Sequence, residues 1–244
     1  MHKSYQFFIS HPIQYFSPLF SKMSTYTRIE VNYYSDHSLH KRVVDDLGEL
    51  PEWDTPLLEG YNYFFLKNYA FKPKINKFWN LVNLSVVSKV AKSDFDYIVI
   101  HGWNSLSNYL VLITAFFFKK KVLLKAESPL KQELIKSNKS LKQKIKIWFL
   151  RNFTFKLVHQ FLYIGDQNFQ FYKWLGVSDE KLIFSPYCVN NKQFRTLANS
   201  LPEKKILKNK LGITKSGIVF GFVGKLIKKK RTTITFKCFH PRRQ

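Results

Sequence analysis

The stretch Asp96-Tyr97-Ile98-Val99-Ile100-His101-Gly102-Trp103 decides the fold. It is a continuous β-branched run, the clearest strand in the chain, and it closes on a polar turn. Working outward, a helix is expected from about Ser105 to Phe118, then a strand from Val122 to Lys125 that ends at Ala126-Glu127-Ser128-Pro129. Towards the N-terminus lie a helical spacing at Phe78, Leu81, Val82, Val86 and Val90 within 76 to 92, a short strand at Phe64 to Leu66, and a strand at Ile29 to Tyr34. The first strand is Tyr5 to Ser10, followed by His11-Pro12 and a helical stretch to about Ser24, with Pro12 suited to a first helical turn.

Towards the C-terminus, residues 131 to 157 form a long basic, aromatic helical stretch, and Phe161 to Ile164 is a strand. A helix then runs to about Leu175, with Asp166 as its expected N-cap and Gly176 as its left-handed stop. Leu182 to Ser185 is a strand, and residues 195 to 209 are polar and Lys-rich, as a linker plus a short helix. A new apolar strand, Ile218 to Val223, ends at Gly224-Lys225-Leu226, and beyond Arg231 the periodicity vanishes. Strands alternating with helices predict an α/β fold, a Rossmann-like parallel sheet with helices on both faces. The expected organisation is a Rossmann-like domain over 1 to 195, a linker over 196 to 215, the start of a second domain over 216 to 231, and an aberrant tail over 232 to 244. Such a chain reads as truncated just after the opening strand of its second domain, and little or no catalytic activity is expected of it alone.

Composition narrows the function classes. The 244 residues carry 40 Lys+Arg against 16 Asp+Glu, a net charge of +24, with 45% apolar and 17% aromatic residues, which excludes a disordered chain. Two cysteines, Cys188 and Cys238, are too few for a disulfide framework, so the chain reads as cytoplasmic. The apolar stretch from Tyr109 to Phe118 is about half the roughly 20 residues of a spanning helix, and Lys119 to Lys121 end it. The surplus charge is either a footprint for polyanions or the mark of a Lys-rich coding bias. Eight of the basic residues, and no acidic one, lie from Lys225 onward.

The order of motifs resembles the bacterial branch of the family 4 glycosyltransferases, whose two Rossmann-like domains face each other across a cleft. The residues that carry it are Ser10-His11-Pro12-Ile13-Gln14-Tyr15-Phe16-Ser17-Pro18-Leu19-Phe20; His101-Gly102-Trp103 with Ala126-Glu127-Ser128; Gly165-Asp166-Gln167-Asn168 with Tyr172, Leu175-Gly176-Val177 and Ser185-Pro186-Tyr187-Cys188-Val189-Asn190; and Phe222-Val223-Gly224-Lys225-Leu226 with Lys230. The resemblance implies transfer of a sugar from a nucleotide-sugar donor to a glycan or lipid-linked acceptor, with retention. It implies that Gly224, Lys225 and Lys230 hold the donor diphosphate, whose departing charge a fixed cation stabilises. It assigns Glu127 and His101 to the chemistry, Glu127 orienting or deprotonating the acceptor hydroxyl, and sets His11, Trp103 and Ser128 along the acceptor side of the cleft.

Bland readings stand beside each of these. Lys225 and Lys230 are, as a bare string, a solvated charge run. His101 is equally a strand-end histidine satisfied by backbone, Glu127 a helix-entry carboxylate favoured by the dipole, and His11 part of a structural turn. Asp166 and Asn168 read as capping residues. Asn190 stands where the family often carries Asp. No metal or cofactor is expected: the cysteines lie far apart and the seven histidines form no ligand-spaced cluster. The nucleotide sugar is a substrate.

Two alternatives belong to other classes. One is a basic nucleic-acid-binding protein, which lacks any recognisable motif here; the other is a non-catalytic partner of a transferase. Finally, Lys139 to Lys156 has Leu141, Ile145, Trp148 and Phe149 near one face with Lys142 and Lys146 turned away. This allows peripheral contact with an anionic membrane, on its inner face. Packing against the domain is the simpler expectation, since the aromatics are not confined to one face.

Overall fold

The computed structural model describes residues 3–36, 38–39, 56–75 and 77–213. Among the described residues, seven strands form one sheet: β1 (Tyr5–Ile9), β2 (Ile29–Tyr33), β3 (Tyr63–Phe65), β4 (Tyr97–His101), β5 (Lys121–Lys125), β6 (Gln160–Tyr163) and β7 (Leu182–Phe184). Their order is β3-β2-β1-β4-β5-β6-β7, and every neighbouring pair is parallel. The expected α/β, Rossmann-like architecture is what the chain adopts. From β1 the chain builds outward one way to β3, then returns to lay β4 on the other side of β1 and builds outward the opposite way. That reversal between β1 and β4 is the switch point where open α/β sheets place ligands.

The register explains the core. Phe8, Ile100, Leu124 and Phe161 lie in one row across the sheet, and Val31, Phe7, Val99 and Leu123 in the adjacent row. Because side chains alternate along a strand, the first row faces one cluster and the second row the other. The first cluster includes side chains of α2 (Val86–Ala91), α3 (Leu106–Phe117), α5 (Leu141–Asn152) and α6 (Asp166–Trp174). The second packs against Phe16 and against Phe20 of α1 (Ser17–Ser24). Burial on both faces is why Ile98, Val99 and Ile100 form an unbroken apolar run.

Several boundaries differ from expectation, each for a local reason. Pro18, not Pro12, occupies the first turn of α1, which starts only at Ser17. The helix expected over 76 to 92 is a 3₁₀ turn at Phe78–Asn80 followed by the short α2. Polar side chains intercept the backbone there. Asn68 Oδ1 accepts from the Val82 N–H at 2.9 Å, and Asn83 Nδ2 donates to the carbonyls of Tyr34, Leu66 and Lys67 at 2.9 to 3.1 Å. Asn83 is fully buried, so these bonds take the strand-end carbonyls that would otherwise be orphaned.

The long helix over 131 to 157 is three pieces: α4 (Leu130–Lys139), α5 and a 3₁₀ turn at Thr154–Leu157, with Ser140 extended at φ −150° between the first two. Gly165, not Asp166, is the N-cap of α6; Asp166 sits in its first turn. The stop at Gly176 is as expected. Its φ is +85°, and the Val177 N–H reaches back to the Tyr172 carbonyl at 3.1 Å, a Schellman-type ending that favours glycine.

The chain divides into two compact units, 1–191 and 192–244. In the second unit the described residues are largely helical, as α7 (Asn191–Ser200, begun in the first unit) and α8 (Lys204–Lys210), where a polar linker with one short helix was expected; neither helix has a buried residue. The strand expected at Ile218 to Val223, the Gly224, Lys225 and Lys230 element and the tail over 232 to 244 lie outside the described residues. Among the described residues, no helix is long and apolar enough to cross a membrane.

Candidate functional site

Beyond the C-terminal ends of β1, β4, β5 and β7, on the face covered by α1, polar side chains converge beside the switch point. His101 ends β4, and its register partner on β5 is Lys125. The imidazole stands edge-on to Phe16, with ring centroids 4.6 Å apart, and 6.4 Å from Phe7. Burial, with a smaller push from the Lys125 ammonium, lowers its pKa to about 3, so the ring is neutral at any physiological pH. Behind it, Asn108 of α3 holds the turn: its Nδ2 donates to the carbonyls of Gly102 at 3.0 Å and His101 at 3.3 Å, and its Oδ1 accepts from the Tyr34 hydroxyl at 2.7 Å. Gly102 has φ +81° with nothing near a would-be Cβ, so backbone conformation, not space, favours glycine there.

Lys125 is the surprise of the site. Its side chain is buried, with 6% of the residue exposed. Nζ donates to the Ser185 carbonyl at 2.8 Å and contacts Ser185 Oγ at 3.0 Å, which ties the end of β5 to the turn after β7. The ammonium also lies 5.2 Å from the centroid of the Tyr187 ring. Burial lowers the Lys125 pKa, while Cys188 and Glu127 oppose that shift. Glu127 is exposed, and one of its carboxylate oxygens accepts from the Tyr187 hydroxyl. The Tyr187 phenol is pushed up by burial first and by that carboxylate second. Tyr15 closes the group, edge-on to Tyr187 at 5.0 Å, with its own phenol pushed up by burial and then by Glu127.

The two expected catalytic groups thus belong to one cluster, linked through Lys125, Phe16 and Tyr187. His11 follows β1, within 2.9 Å of Ser10 Oγ through its Nδ1. Ser128 is buried, and its carbonyl accepts from Asn168 Nδ2 at 3.4 Å. Asn168 also accepts the Ile164 N–H at 3.1 Å, which ties the end of the β6 segment to the first turn of α6. Trp103 departs from this company. Its ring lies on the opposite face of the sheet, stacked on Phe171 at 6.0 Å and edge-on to Phe155 at 5.7 Å, as a core residue. An indole one position past the left-handed Gly102 finds more apolar surface beneath α3 than in a polar cleft.

Sequence reading missed Lys125 because a lysine closing a strand ordinarily reaches solvent. The available signal was its place in an apolar run, two positions before Glu127. Tyr187 and Ser185 were seen only as part of a motif. Chemically, the cluster presents an exposed carboxylate hydrogen-bonded to a phenol, a neutral imidazole and a buried cation. Such a surface can orient a hydroxyl-bearing ligand and accept its proton. Among the described residues, no group of three or more His, Cys, Asp or Glu could hold a metal ion.

No protein-family model matches the chain, and no curated protein matches it. Solved structures to which it is similar include the UDP-N-acetylglucosamine 2-epimerase of Rickettsia bellii, at 12% identity and a TM-score of 0.46 over 88% of this chain and 52% of that one. HepE of Anabaena, solved with UDP and glucose, matches at 12% identity and a TM-score of 0.47 over 86% of this chain and 50% of the other. The UDP-GlcNAc 2-epimerase of Neisseria meningitidis, bound to UDP-GlcNAc, matches at 13% and 0.46 over 88% and 54%. The chain therefore spans about half the length of the solved structures it matches. At this identity the likeness concerns the fold.

Proposed function

We propose that the chain supplies the acceptor side of a glycosyltransferase, moving a sugar from a nucleotide-sugar donor to a hydroxyl of a glycan or lipid-linked acceptor. The observation that carries this reading is the Glu127, Tyr187 and Lys125 cluster at the C-terminal edge of the sheet, beside the switch point. In this reading Glu127 is the catalytic residue that orients the acceptor hydroxyl and takes its proton. Tyr187 fixes the carboxylate by hydrogen bonding. Lys125 anchors the Ser185 turn that carries Tyr187. His101, neutral, offers a ring nitrogen to a sugar hydroxyl without adding charge. The resemblance to family 4 transferases supports retention and a diphosphate site at Gly224, Lys225 and Lys230.

The test is transfer from radiolabelled nucleotide sugars to glycan and polyprenyl-phosphate-linked acceptors by the full chain, with acceptor binding followed by saturation-transfer NMR. The chain alone is expected to bind acceptor but to transfer little or nothing; Glu127→Gln should leave acceptor binding within about twofold and lower any transfer measured by about 10² to 10⁴, the range for a general base. Salt-sensitive binding of oligonucleotides with no response to any nucleotide sugar or glycan would overturn the proposal in favour of nucleic-acid binding.

A further inference from the structure

Helix α5 has its apolar residues on the wrong side for a core helix. Leu150 is buried and Ile147 packs partly on the core, but Leu141, Ile145 and Trp148 are 73%, 59% and 58% exposed. At 100° per residue these three fall on one outward line, about 10 Å long. Phe149 and Phe153 widen the ridge, their rings stacked at 5.3 Å and Phe153 edge-on to Trp148 at 5.6 Å. The same geometry sets Lys142 and Lys146 along one flank and Lys144 and Arg151 along the other. No acidic residue lies on α5, and the single carboxylate of α4, Glu133, is occupied by Lys136 at 2.7 Å and Lys146 at 3.2 Å.

We infer that α5 docks on an anionic lipid bilayer, its Leu141, Ile145 and Trp148 ridge entering the interface while the exposed Lys142, Lys144 and Arg151 meet lipid phosphates. The observations favour lipid over a protein partner on two counts. A narrow ridge needs no complementary groove in a fluid surface, and cations on both flanks match a uniformly negative plane. Tryptophan and lysine suit the interface because each carries an apolar body and a polar tip. The inference goes beyond sugar transfer and does not depend on it, since lipid binding is read with no substrate present.

The test is flotation of the full 244-residue chain with vesicles of phosphatidylcholine plus phosphatidylglycerol, and with phosphatidylcholine alone. Binding is expected to the mixed vesicles only. The triple variant Leu141→Ser, Ile145→Ser, Trp148→Ser is expected to bind at least about tenfold more weakly, with an unchanged circular-dichroism melt because all three side chains are exposed. Equal binding by variant and parent would overturn the inference and assign adsorption to the basic residues alone, those beyond Lys225 included. Binding to neither vesicle, with self-association that the triple variant abolishes, would overturn it equally and make the ridge a contact between copies.

Discussion

Strand β4 and helix α5 are both apolar runs bordered by polar residues, yet the fold treats them oppositely. Ile98 and Ile100 of β4 are fully buried, pressed between neighbouring strands and covering helices. Leu141 and Ile145 of α5 face outward. The difference lies in what surrounds each run. β4 has β1 on one side and β5 on the other, so its backbone bonds and both faces are satisfied by the protein itself. α5 makes its own backbone bonds and needs the protein only along the line of Leu150 and Ile147, leaving its remaining circumference to whatever is outside. An apolar residue at a central strand therefore measures core; at a surface helix it measures core or partner, and the flanking charges distinguish them.

Ile100→Ala gives the largest expected effect. Removing this buried side chain, in contact with the rows above and below it, should lower the free energy of unfolding by about 2 to 5 kcal/mol, read by urea titration. A loss under about 1 kcal/mol would mean that β4 is not the central strand of a packed sheet, and the contrast with α5 would collapse.

The end of β4 gives a smaller and pH-dependent effect. His101 titrates at about 3 in the fold against 6.5 for the ordinary side chain. Between those values the unfolded chain binds a proton that the native one does not. Its contribution to stability is therefore fully present above pH 6.5 and is lost progressively as pH falls towards 3. At roughly 1.4 kcal/mol per pH unit, it removes about 2 kcal/mol between pH 6.5 and 5, above the range where depressed carboxylates such as Asp94 and Asp96 take over. His101→Gln should flatten that slope while keeping a polar group of similar size. An unchanged slope in the variant would show that the imidazole is solvated, and the polar cluster would then be more open than its packing against Phe16 indicates.

How much of this was legible in the sequence follows from the same distinction. β4, β5 and the stop at Gly176 could be read because strand runs and a left-handed glycine are local signals. The break of the helix before Asn83 could not, since it depends on carbonyls of Tyr34, Leu66 and Lys67 supplied from other elements. Lys125 was hidden for a related reason: a lysine is buried only when distant groups, here Ser185 and Tyr187, arrive to meet it. Glu127 and His101 were legible as candidates because turns after parallel strands face the ligand side of such sheets. Trp103 was misplaced because the same turn sends neighbouring side chains to opposite faces.

The smallest expected effect is the sharpest test of the comparison. Ile145→Ala deletes the same atoms as Ile100→Ala, from a residue 59% exposed rather than fully buried. Alanine slightly exceeds isoleucine in helix propensity, which offsets the little apolar area that Ile145 removes from water. The free energy of unfolding should therefore move by no more than about 0.5 kcal/mol in either direction, by the same urea titration. A loss of about 2 kcal/mol would mean that Ile145 is covered in solution by part of the chain or by a second copy. A null result for stability, joined to weaker vesicle binding, would locate the role of Ile145 outside the fold: the residue would be retained for what α5 touches and not for what holds α5 in place.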